Sequence, residues 1–105
     1  MIEQLIKALN IKVTYIDKEY IPITKRRRAR GAFRWNYFDN QGEILLAKSS
    51  TERTKLHEVG HAMNFILGRG GKLSDAIGME SEKFADIMAD SIETLIKSAK
   101  QKKED

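Results

Sequence analysis

The chain has no cysteine, one proline and two histidines in 105 residues. Without thiols there is neither a disulfide framework nor a thiolate metal site, which leaves imidazole and carboxylate as the donors for zinc. No apolar run approaches the roughly 20 residues needed to span a bilayer. Residues 1–10 have the pattern of a short amphipathic helix, with Ile2, Leu5, Ile6 and Leu9 on one face, rather than that of a signal peptide. The expectation is therefore a single cytoplasmic domain over 1–105, without membrane association and with a modest core of its own. Its net charge of +4 permits weak attraction to phosphate.

Both histidines fall in one pentad, His57-Glu58-Val59-Gly60-His61. On a helix, residues four apart share a face, so two imidazoles at this spacing can bind one Zn²⁺ with Glu58 beside the open coordination position. Catalytic zinc keeps water in that position and lowers its pKa to about 7. A neighbouring carboxylate can then take the water's proton and return it to a leaving amine, which is the acid–base work of peptide hydrolysis. Glu58 is the candidate base. The flanking sequence fits a helix over 51–68, with apolar residues at 56, 59, 62, 63, 66 and 67, a capping-box start at Ser49 and Glu52, and Gly68 as a stop. With no third histidine available, the third protein ligand is expected to be a carboxylate.

A second helical pattern over 78–97 carries Glu80, Glu82, Asp86, Asp90 and Glu93. Such a face also suits an ordinary solvated acidic helix. Glu82-Lys83-Phe84-Ala85-Asp86 resembles the E-x-x-A-D motif of gluzincin metallopeptidases. That resemblance implies Glu82 as third zinc ligand and Asp86 as the group supporting a ligating histidine. Shifted, Glu80-x-x-x-Phe84-Ala85 looks like the motif of the ImmA/IrrE-type small zinc peptidases, often encoded by phages or mobile elements, and makes Glu80 the alternative. Asp86 lies at i+4 from Glu82, which favours Glu82 because ligating histidines usually donate their second N–H to such a group. Asp75, in the Gly-rich 68–78 loop, is a weaker candidate. Residues 39–46 and 55–62 also resemble the turn, edge strand and metal helix of the ImmA/IrrE-type family. The resemblance covers about residues 30–96. It implies a zincin-like fold and hydrolysis of a protein or peptide, such as a transcriptional repressor.

The remaining pattern is α+β. Residues 11–16 alternate and are β-branched, 20–24 hold the only proline and suit a short edge segment, and strands over 32–38 and 43–47 flank a turn at 39–42. A small antiparallel or mixed sheet packed on the two helices is the expected fold. The 44–47 stretch is the candidate free edge along which a substrate strand would lie. Tyr15, Tyr20, Tyr37 and Arg34 are candidate oxyanion donors. The basic run containing Arg26, Arg27, Arg28 and Arg30 reads as a solvated loop, as a nucleic-acid or partner patch beside Phe33, Trp35 and Tyr37, or as a steering element for an acidic partner. The competing function is therefore a basic DNA- or protein-binding regulatory module with a structural or vestigial zinc site.

Overall fold

The computed structural model describes residues 2–68 and 71–104, and side chains up to residue 100; Arg69 and Gly70 of the expected loop, and Met1 of the expected first helix, lie outside the described residues. The order is α1 (Ile2–Ala8), β1 (Ile11–Tyr15), β2 (Ile21–Pro22), β3 (Arg28–Ala29), β4 (Gly31–Asn36), β5 (Gln41–Leu46), α2 (Glu52–Leu67), α3 (Leu73–Ala76) and α4 (Ser81–Glu104). This is an α+β fold with a small mixed sheet.

The three-stranded sheet has the order β1-β5-β4, with β5 parallel to β1 and antiparallel to β4. The expectation of a free edge at 44–47 is thereby corrected: β5 is the central strand, β1 and β4 are the edges, and β4 is the one that lines the cleft. The reason is burial. Ile44 and Leu46, 0% and 2% exposed, have apolar neighbours on both sides only when Val13 of β1 pairs with Ile44 and Phe33 of β4 pairs with it from the other side. The 25–30 stretch, read as a loop, contains β3, which closes a short antiparallel hairpin on β2.

One sheet face is covered by α1 and α2. Ile2 and Ile6 of α1, Ile11 of β1, Ile44 and Leu46 of β5, Leu56, Val59 and Ala62 of α2, and Ala89 and Ile92 of α4 form one core. Lys55, nearly buried, reaches Glu3 at 3.3 Å and fastens α1 to α2. On the opposite face, Glu43 accepts from the Thr14 hydroxyl at 2.7 Å and from Arg34 Nε at 2.6 Å, a polar tie across all three strands. No helix among the described residues is long and apolar enough to cross a membrane.

Helix α2 starts two residues later than the expected cap. Thr51 is the N-cap and closes a reciprocal capping box with Thr54, whereas the buried Ser49 hydroxyl has no hydrogen-bond partner among the described residues. At its other end, the fully buried Asn64 accepts from the Ser74 backbone N–H at 2.7 Å and donates to the Ser74 hydroxyl at 2.9 Å. That pair pins α3 and the turn into α4. Gly78 makes this turn at φ +68, a conformation that costs other residues strain.

Candidate metal centre and cleft

Helices α2 and α4 touch at backbone distance. A Cβ on Gly60 would lie 2.6 Å from the Ala85 carbonyl oxygen and 2.8 Å from its Cα, so only glycine permits this crossing. Ala85 and Ala89 are both 0% exposed. The approach brings Glu82, one turn before Ala85, and Asp86, one residue after it, to the histidine face of α2.

His57 Nδ1 lies 2.8 Å from Asp86 Oδ1. An ionised carboxylate can only accept, so Nδ1 donates its proton there and the neutral ring has a free lone pair at Nε2. That atom lies 3.1 Å from His61 Nε2 and 2.9 Å from Glu82 Oε2, and His61 Nε2 lies 3.2 Å from Glu82 Oε1. Three donor atoms thus converge from His57, His61 and Glu82. Ligands about 2.0–2.1 Å from a tetrahedral zinc stand about 3.3 Å from one another, so the separations between these donor groups are close to those within such a site. Converging lone pairs repel unless a cation or a proton sits among them, and the donor set of two imidazoles and a carboxylate suits zinc.

Burial dominates the electrostatics. It pushes the Glu58 carboxyl up to about 7, opposed by His57 and reinforced by the negative charge of Glu82. It also lowers the His61 pKa, against the pull of Glu82, and so favours the neutral ring that a ligand must be. Arg53 bridges from α2 to Asp90 at 2.7 Å and Glu93 at 3.3 Å on α4. This clamp lies on the same side of the helix pair as Asp86.

A cleft of about 880 Å³ opens between α2 and β4, and His57, Glu58, His61, Glu82 and Asp86 all line it. Gly31 lets the strand lie on the helix: a Cβ there would be 2.8 Å from Thr54 Cγ2 and 3.1 Å from Glu58 Cγ. Further along, Phe65 of α2 stacks against Trp35 at 5.0 Å and Phe33 at 6.2 Å between ring centroids. The Ala47 N–H donates to the Arg30 carbonyl. By the alternation of an antiparallel ladder, the backbone groups of Ala32, Arg34 and Asn36 then face β5, while those of Gly31, Phe33 and Trp35 point to the open side.

The other sequence candidates divide. Glu80, exposed and just ahead of α4, does not line the cleft, and Asp75 sits away from it on α3. Arg27 and Arg30 line it; Arg26 does not, and Arg28 stacks over Tyr20 at 4.7 Å. Of the proposed oxyanion donors, Tyr37 and Arg34 reach the cleft, with Arg34 held by Glu43, whereas Tyr15 and Tyr20 do not line it. Sequence reasoning missed Gly60 as the contact point, although its small side of α2 faces the Ala85/Ala89 pair, spaced at i and i+4. The chain matches no family model, no curated protein and no solved structure.

Proposed function

We propose that this chain is a zinc-dependent metallopeptidase of minimal zincin type, hydrolysing a peptide bond in a protein. The observation that carries the reading is the convergence of His57, His61 and Glu82 with Glu58 buried beside them. These three side chains would hold the ion, and Asp86 would fix the His57 tautomer and orientation. Bound zinc would supply a water acidic enough to react near neutral pH.

The remaining chemistry belongs to the chain. Glu58, whose burial raises its carboxyl to about 7 and so makes its carboxylate a stronger base, accepts a proton from the attacking water. The water's oxygen joins the carbonyl carbon, the carbon–nitrogen bond breaks, and Glu58 returns the proton to the departing amine. A purely structural metal site has no use for such a base. The open edge of β4 runs beside these residues and offers free N–H and C=O groups to an extended substrate backbone. Tyr37, on the cleft wall, is the candidate donor to the developing oxyanion.

Glu58→Gln keeps shape and removes the base. The variant is expected to retain the fold and one zinc per chain and to capture a partner protein that wild type cuts, with hydrolysis reduced about 10²–10⁴-fold. Equal processing of that partner by both proteins under zinc saturation would sink the proposal.

A further inference from the structure

The cleft changes character along β4. Four arginines line it, but Arg34 is held by Glu43 and Arg53 by Asp90 and Glu93, whereas Arg27 and Arg30 make no ion pair with any described residue. Arg27 lies just ahead of β3 and Arg30 joins β3 to β4, both at the Gly31 end. At the other end lie the Trp35 and Phe65 rings, in contact at 5.0 Å, and Tyr37, 78% exposed. Lys72 also lines the cleft. The histidines and Glu58 lie between the two ends, because Gly31 abuts Glu58 and Trp35 abuts Phe65.

We infer that this cleft selects an extended protein segment carrying carboxylates at one end and a large apolar side chain about five residues away, seated on the edge of β4. That the bond between them is cut rests on the metallopeptidase reading; the binding preference does not. Five residues of strand span about 16 Å, the separation of Arg30 and Trp35 along the edge. Guanidinium groups free of partners bind carboxylates bidentately and speed their approach. Stacked aromatic rings present a rigid apolar platform with little entropy to lose.

A nucleic acid fits this edge less well. The outward groups of Gly31, Phe33 and Trp35 alternate N–H and C=O, which an extended peptide backbone satisfies in both senses. A phosphodiester backbone only accepts, so the carbonyls would go unpaired. Positive charge on a free edge strand also discourages pairing with a second copy of the same strand.

The test uses zinc-loaded Glu58→Gln protein and short fluorescein-labelled peptides with paired aspartates at one end and phenylalanine at the other, made in both chain directions. Counterparts carry lysines for aspartates. Anisotropy is expected to show one acidic direction binding about tenfold or more tighter than its lysine counterpart, more strongly so at low salt. Arg27→Glu with Arg30→Glu, both exposed positions, is expected to abolish that preference and its salt dependence. Tyr37→Ala is expected to weaken binding while leaving the salt dependence in place.

Equal affinity for acidic and lysine peptides overturns the inference. So does arginine-dependent binding of a labelled DNA duplex without binding of the acidic peptide. Wild type incubated with the same peptides separates the two readings: tight, charge-selective binding without cleavage removes the peptidase and leaves the binding preference. Cleavage of both charge series at one rate does the opposite.

Discussion

At the scale of single residues, the chemistry of the site resides in which atom each side chain presents. His57 uses Nδ1 on Asp86 and turns Nε2 inward, where His61 and Glu82 meet it. Glu82→Gln is therefore expected to weaken zinc binding far more than Glu80→Gln, whose side chain lies off the cleft. Asp86→Asn, which removes the charge on the supporting group, should fall between them at about 10–100-fold. Titration with a zinc-competing chelator dye reads all three, and an effect of Glu80→Gln exceeding that of Glu82→Gln would move the ligand assignment. His57, Glu58 and His61 were legible in the sequence because helix geometry ties their spacing to a shared face. The choice between Glu82 and Glu80 was legible only in part, through Asp86 at i+4 from Glu82, since both registers are helical and the position of α4 against α2 is not written in either. Likewise the basic run reads as one patch, yet the β2–β3 hairpin turns Arg27 and Arg30 to the cleft and sends Arg28 over Tyr20.

At the scale of elements, two contacts hold the pieces in place. The Gly60–Ala85 crossing has backbone on its far side, which cannot rotate away as a side chain would. Gly60→Ala would gain about 1 kcal/mol of helix propensity, but relieving the clash must push α4 outward, at about 1–3 kcal/mol. The expected result is a protein of equal or lower stability whose zinc affinity falls because Glu82 moves with α4. Thermal melting and zinc titration check the two parts, and unchanged zinc affinity would show that the crossing does not set the ligand geometry. In the sheet, the Thr14 hydroxyl and then Arg34 hold the Glu43 carboxyl below its ordinary pKa. A depressed carboxylate contributes stability that is present above its unfolded value, 4.5, and lost as pH falls through the lower folded value. Glu43→Gln is thus expected to flatten the acid limb of a stability–pH curve below about pH 4.5 while leaving its slope near neutrality alone. The hairpin of β4 and β5 was readable from a local turn between alternating runs. The place of β1 was not, because its parallel pairing with β5 joins residues about thirty apart in sequence and leaves no local signal. That one non-local pairing takes β5 off the edge and leaves β4 as the edge beside the cleft.

At the scale of the whole molecule, the candidate ligands come from α2 and α4, two separate helices joined through the short α3, so an ion bound among them would tie α2 to α4. The folded chain holds the three donors within 4.8 Å of one another; an unfolded chain does not hold them together, and zinc should therefore bind the native state preferentially. By mass action, free zinc at a hundred times its dissociation constant adds about 2.7 kcal/mol to stability. For a domain of this size that corresponds to roughly 10–15 °C in melting temperature. Chelator-stripped protein is expected to remain folded, since the core of α1, the sheet and the two long helices is built from apolar side chains that do not include the candidate ligands, and to melt at a correspondingly lower temperature. His57→Ala with His61→Ala is expected to melt at a single temperature whether or not zinc is added. If that double variant gained the full wild-type shift, zinc would be stabilising the fold from elsewhere and the two-helix site would be wrong. If wild type gained no shift while holding one zinc per chain, the ion would bind native and unfolded chains alike, and the tie between α2 and α4 would have to be abandoned.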